Sequence, residues 1–207
     1  MVFRGLFVLA MALCPAVWGN DAGPSPAAAQ ASKAAPTTGK AAAEKALTRA
    51  RKAVAAEPQN ARAHVDLAIA LGKMTDFTDN RTKMAYAREI RSEAETALRL
   101  DPKNFEACLI LGKWHDGMTR LNPVLKAIAG TLYGKFPPAS VSEAETYLRR
   151  AAALAPENLP AHAELASFLE HHGREKEARP EWERVLQLPP QDPEDRAFQL
   201  RARAALR

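Results

Sequence analysis

Cysteine is nearly missing from this chain: its 207 residues contain two, Cys14 and Cys108, so no disulfide framework can carry the fold. Aromatic residues make up 6% and glycine supplies ten positions, a poverty that disfavours a sheet-rich architecture. Blocks of like charge are absent as well. The 29 Lys and Arg residues interleave with 24 Asp and Glu, which leaves +5 overall and excludes a basic nucleic-acid arm. No Gly-x-Ser-x-Gly, phosphate-binding loop or His-Glu-x-x-His occurs, so the common hydrolase, nucleotide and zinc-protease signatures are missing. What the chain does have is alanine, at 43 positions, within a 47% apolar composition. Alanine is the strongest helix former, and the apolar content is enough for a core, so the expectation is an all-α fold.

Residues 1–19 have the order of a secretory signal: one charge at Arg4, an apolar run from Gly5 to Val17, and the tripeptide Val17-Trp18-Gly19 before the expected cut. Thirteen apolar residues fall short of the ~20 that span a bilayer. Leu13 stands where lipidation of Cys14 would want a small residue, so a cleaved, periplasmic or secreted protein is expected, with no transmembrane span after cleavage. Removing Arg4 leaves 28 basic and 24 acidic residues, a mature charge of +4, and Cys108 as the sole thiol. Residues 20–40 are Pro-, Ala- and Ser-rich with little to bury, and are expected to form a disordered linker.

From Ala41 to Arg207 one phrase occurs three times. Glu57-Pro58-Gln59-Asn60, Asp101-Pro102-Lys103-Asn104 and Ala155-Pro156-Glu157-Asn158 each precede a helical pattern carrying Leu67-Ala68, Leu111-Gly112 or Leu165-Ala166 at the same offset. Proline ends one helix, asparagine caps the next, and the small residue lets two helices approach. The pattern resembles the tetratricopeptide repeat (TPR) family, and the last copy, from Pro156 to Pro190, keeps that family's 34-residue spacing. Gly173 falls at its inter-helix turn, and Ala178, Trp182 and Val185 at its second-helix packing positions. The same frame assigns Ala144, Leu148 and Ala151 to the middle copy, Ile90, Ala94 and Ala97 to the first, and Ala46, Ala50 and Ala53 to a lone lead-in helix. Repeats are expected at about 61–102, 105–156 and 159–190, with a cap at 192–206 opened by Asp192 and Pro193.

The first two copies are longer than the frame requires. The first addition lengthens a second helix to about Thr82–Leu100, and the second contains a helix of its own, capped by Asn122 and striped by Val124, Leu125, Ile128, Leu132 and Tyr133. The run Leu111-Gly112-Lys113-Trp114, then Leu132-Tyr133-Gly134-Lys135-Phe136-Pro137-Pro138-Ala139-Ser140 and Glu143-Ala144, resembles the regulator of microtubule dynamics family. That resemblance implies a helical solenoid acting as a protein-binding adaptor without chemistry of its own. The export signal makes tubulin an improbable partner, so the adaptor class is carried over and the microtubule is not.

The residues themselves point the same way. His64 and His162 share one repeat position, filled by Cys108 in the middle copy, which marks packing rather than a ligand set. Cys108 has no neighbouring base, and carboxylates two apart, such as Glu143 and Glu145, fall on different helix faces. No catalytic residue, metal or cofactor is expected. A protein partner is expected in the concave groove, through Arg62, Asp66, Leu109, Ile110, Lys113, Glu164 and His171, or on the inserted helix. Whether Leu109 and Ile110 line that groove or complete the core stays open, and Trp114 reads as a core anchor. The alternative function is a small-ligand carrier, or accessory subunit, with a pocket roofed by the inserted helix.

Overall fold

The protein is described by a computed structural model covering residues 26–134 and 137–207. The expected signal peptide, residues 1–19, lies outside the described residues. Among those residues the chain forms nine α-helices and no strand. Helix α1 spans Pro26–Ala56. It therefore begins ahead of Ala41, inside the segment expected as linker, in keeping with the helix preference of alanine. Packing starts further on: Ala43, Leu47 and Ala50 are its buried residues, while Ala46 and Ala53 are only half-buried.

Asparagine opens each repeat as the sequence predicts. Asn60 accepts from the Arg62 amide at 3.0 Å ahead of α2 (Ala61–Met74). Asn104 accepts from Ala107 at 2.9 Å ahead of α4 (Phe105–Thr119), and Asn158 from Ala161 at 3.0 Å ahead of α7 (Leu159–His171). These bonds satisfy amides that have no partner inside the helix. The returning helices are α3 (Asn80–Leu100), α6 (Val141–Leu154) and α8 (Glu175–Gln187), and α9 (Pro193–Ala205) closes the stack. Ile90, Ala94, Ala97, Ala144, Leu148, Ala151, Ala178, Trp182 and Val185 are all buried, as the repeat frame requires. Gly173 adopts φ +68° at the last inter-helix turn, a conformation open to glycine at little cost.

The extra residues also fall where the spacing puts them. A short 3-10 turn, Thr75–Phe77, precedes the long α3, and α5 (Pro123–Tyr133) stands between α4 and α6. Asn122 accepts from the Val124 amide at 2.9 Å and caps α5. Beyond α5 the chain is pinned to α3 by two arginines: Arg88 donates to the Gly134 carbonyl at 2.6 Å and Arg91 to the Pro138 carbonyl at 2.7 Å.

Two apolar cores meet at α4. One is built from α1, α2, α3 and α4, including Leu71, Ile90 and Ile110; the other joins α4, α6, α7 and α8, including Leu109, Leu165 and Trp182. Trp114 anchors the first core, its indole N–H donating to the Ala87 carbonyl of α3 at 2.7 Å. Helices α4 and α6 are in tight contact at Gly112, where an added Cβ would lie 2.6 Å from Leu148 Cγ and 3.1 Å from its backbone nitrogen. Gly117, one and a half turns on, faces open space. Gly112→Ala is therefore expected to destabilise by about 1–3 kcal/mol through overpacking. Gly117→Ala should stabilise by about 0.5–1 kcal/mol, the ordinary helix preference. Urea unfolding of the two variants checks the contrast, and equal signs would refute the close approach.

Candidate partner-binding surface

The first helices of the repeats form a row in which α2 meets α4, α4 meets α7 and α7 meets α9. The charged residues expected to face a partner lie along this row, and most are engaged with one another. Arg62 of α2 pairs with Glu106 of α4 and with Asp66 at 3.0 Å. Lys113 of α4 pairs with Glu164 of α7, both buried. Further along the same seam Asp116 accepts from His172 at 3.4 Å, and Arg120 donates to His171 Nδ1 at 2.8 Å. Glu170 then accepts from Arg201 of α9 at 3.1 Å and from the Trp182 indole at 2.8 Å. Ion pairs thus cross each successive seam of the row.

This corrects part of the expected site. Leu109 and Ile110 are 1% and 2% exposed and belong to the two cores, so neither lines an open groove. The reason is the position of α4, which packs against α2, α3, α6 and α7 and keeps little free surface. The charge of Lys113 is spent on Glu164 instead of a partner's register. Arg62 and Asp66 stay well exposed, and His171 is partly so.

Near the exposed pair a cleft of about 260 Å³ opens where the N-terminal ends of α4, α7 and α9 converge. Glu106, Glu157, Asp192, Glu194 and Asp195 line it with carboxylates, and the half-buried Phe105 and Pro160 supply apolar surface above the buried Leu109 and Leu159. Burial raises the Glu106 carboxyl above its usual range, against the pull of Arg62. Glu157 pairs with Arg184 at 2.7 Å, and buried Asp195 accepts from the Gln191 amide at 2.8 Å. The carboxylates of Glu157, Asp192, Glu194 and Asp195 are not among the expected site residues. The signal was nonetheless there, since Glu106 and Glu157 each stand beside a repeated turn. The cleft lies at the opposite end of α4 from α5, so it is not roofed by the inserted helix.

Three histidines, His64, His162 and His115, are engaged in contacts within the repeats. His64 Nδ1 lies 2.5 Å from Glu93 Oε2 and Nε2 lies 2.9 Å from the Pro58 carbonyl oxygen. His162 repeats both contacts, with Glu181 at 2.7 Å and the Pro156 carbonyl at 3.1 Å. In the middle copy Cys108 and Tyr147 stand at the two positions; burial raises the pKa of both. His115 stacks on Tyr147 at 5.8 Å and its Nδ1 accepts from the Ser140 amide at 3.3 Å, while burial holds its pKa down. Among the described residues no cluster of three or more His, Cys, Asp or Glu side chains is arranged to hold a metal ion. No helix among them is long and apolar enough to cross a membrane.

Paired helices stacked in register, with Asn caps, small crossing residues and a capping helix, define a TPR-like solenoid. A thermophilic TPR protein of Thermus thermophilus has this fold, with a TM-score of 0.57 and 20% identity over 80% of this chain and 74% of that one. The model of the family Regulator of microtubule dynamics protein 1-3 matches residues 26–207, and the chain belongs to that family. The human Regulator of microtubule dynamics protein 2 is 26% identical over 109 residues, 53% of this chain and 27% of the relative. The Bos taurus Regulator of microtubule dynamics protein 1 is 28% identical over 106 residues, 51% of this chain and 33% of the relative. The matched stretches therefore span about a quarter to a third of these relatives.

Burial works against a charge on His64, but the Pro58 carbonyl and the Glu93 carboxylate outweigh it and raise its pKa above 6.5. A base whose pKa is higher in the folded state stabilises fully below the unfolded value, and that contribution is lost as pH rises through the folded one. His64→Gln should cost about 1.5–3 kcal/mol at pH 5.5, in the range of hydrogen bonds to charged groups. The cost should shrink by pH 8.5. Urea unfolding at the two pH values checks this, and a cost that grows with pH would refute it.

Proposed function

We propose that this chain is a non-catalytic protein-interaction scaffold of the cell envelope, exported by the signal expected at residues 1–19. The observation that carries the reading is the carboxylate-lined cleft beside Arg62 and Asp66, where five carboxylates face two arginines, Arg62 and Arg184. A basic side chain of a partner suits it: the carboxylates receive the cation, and the half-buried Phe105 and Pro160 receive the aliphatic stem. Family membership and the TPR-like fold support an adaptor class. The microtubule association in the relatives' names is not carried over, because an exported chain would not meet tubulin.

The test is crosslinking from the envelope fraction of the source cells, comparing the wild type with Glu106→Lys and Glu157→Lys. One protein captured by the wild type should fall at least tenfold with either variant while helical content is unchanged, and the mature chain should begin at Asn20 by mass spectrometry. Undiminished capture by both variants would refute the cleft, and a mature chain retaining Met1 would refute export.

A further inference from the structure

The far end of the α4–α7 seam, away from the cleft, gathers Asp116 and Arg120 from the end of α4 with His171 and His172 from the end of α7. Arg120 Nη1 lies 2.8 Å from His171 Nδ1 and 3.3 Å from Asp116 Oδ2. A guanidinium only donates, so Nδ1 is the bare acceptor nitrogen and the ring is held neutral, with its proton on Nε2. His172 donates through Nε2 to the other carboxylate oxygen, Asp116 Oδ1, at 3.4 Å. Two further charges act on the His171 ring, Glu170 of the same helix and Arg201 of α9, and these pair with each other at 3.1 Å. From α6 and α8, Glu145 and Glu177 are taken up by Arg174, each at 2.7 Å. The His171 side chain is 24% exposed, so a solvent proton can reach it.

We infer that Asp116 is the pivot of a proton-driven exchange, in which His171, once protonated at Nδ1, takes the place of Arg120 and releases it from α7. A proton on Nδ1 removes the acceptor that Arg120 uses and sets two cations in hydrogen-bond contact. Asp116 Oδ2 lies 3.9 Å from the same nitrogen, so a small turn of the ring brings the new N–H onto it. The proton comes from solvent, and no bond between heavy atoms forms or breaks. His172 keeps its Nε2–H on Oδ1 whether or not its other nitrogen is protonated, so the carboxylate stays in place. Burial and then Arg120 hold the His171 pKa below 6.5, with Arg201 acting in the same sense and Asp116 and Glu170 opposed. A base whose pKa is lowered by folding keeps its contact in full above the unfolded value and loses it as pH falls through the folded one. The sign is opposite to that of His64. Arg120 is followed by Leu121, buried in the first core, and by Asn122, the cap of α5. Its release therefore couples the protonation of the seam to the opening of the chain where it enters the inserted helix.

The experiment is a pH titration of the full chain by NMR of the histidine rings, joined to amide hydrogen exchange expressed as protection factors at pH 7.5 and 5.0. His171 is expected to titrate below 6.5 with Nδ1 unprotonated at pH 7.5, and protection over 119–122 to fall about threefold or more by pH 5.0. His171→Asn keeps an acceptor where Nδ1 stood and cannot take up the proton, so in this variant the fall should vanish. In Arg120→Met the His171 midpoint should rise by about one pH unit, the effect of removing a like charge at contact distance. Three results would overturn the inference: a wild-type His171 midpoint at or above 6.5, a ring proton resident on Nδ1 at pH 7.5, or a fall in protection that persists in His171→Asn.

Discussion

The structure depends on the burial of α4. Four helices pack around it, and it contributes Ile110 to one core and Leu109 to the other. A helix so enclosed can keep a charge only if the charge is matched, and Lys113 is matched by Glu164 of the next repeat. Replacing such a pair with apolar residues is often harmless, whereas removing one member strands the other in a low-dielectric interior. The pair therefore ties the middle repeat to the third. Gly112 sets the other condition, since the approach of α6 leaves no room for a larger residue there.

The same enclosure decides where recognition can occur. In a longer, more open solenoid the first helices present a continuous inner surface to a ligand. Here the seams are crossed by Arg62–Glu106, Lys113–Glu164 and Glu170–Arg201, so much of that row is used in joining repeats. Surface remains at the two ends of α4. At its N-terminal end three helix starts converge on a carboxylate-lined cleft, and beyond its C-terminal end the chain continues into α5.

The fold was legible because its signals are local and repeated. Pro102 and Pro156, Asn60, Asn104 and Asn158, and Gly173 act within a few residues of themselves, and three copies confirm one another. The long α3 and the separate α5 followed from the lengths between the repeated turns. The site was less legible, because exposure depends on what lies across the helix. Leu109 and Ile110 occupy positions where an open solenoid would show apolar groove residues, and only the packing of α6 and α7 on Leu109, and of α2 and α3 on Ile110, reveals that they are interior. The cleft escaped for a related reason: Glu106, Glu157 and Asp195 come from three segments whose convergence no single stretch of sequence displays. The start of α1 was misplaced because a Pro- and Ala-rich composition suits a tether and a helix alike.

The central claim is that a charge enclosed on α4 must be matched across the seam, as Lys113 is by Glu164. It is tested most directly by equilibrium urea unfolding of Lys113→Ala, Glu164→Ala and the apolar pair Lys113→Met with Glu164→Leu. The account predicts that each single change costs about 3–5 kcal/mol and that the apolar pair stays within about 1 kcal/mol of the wild type, in one cooperative transition. Single changes that each cost less than about 1 kcal/mol and simply add would contradict it.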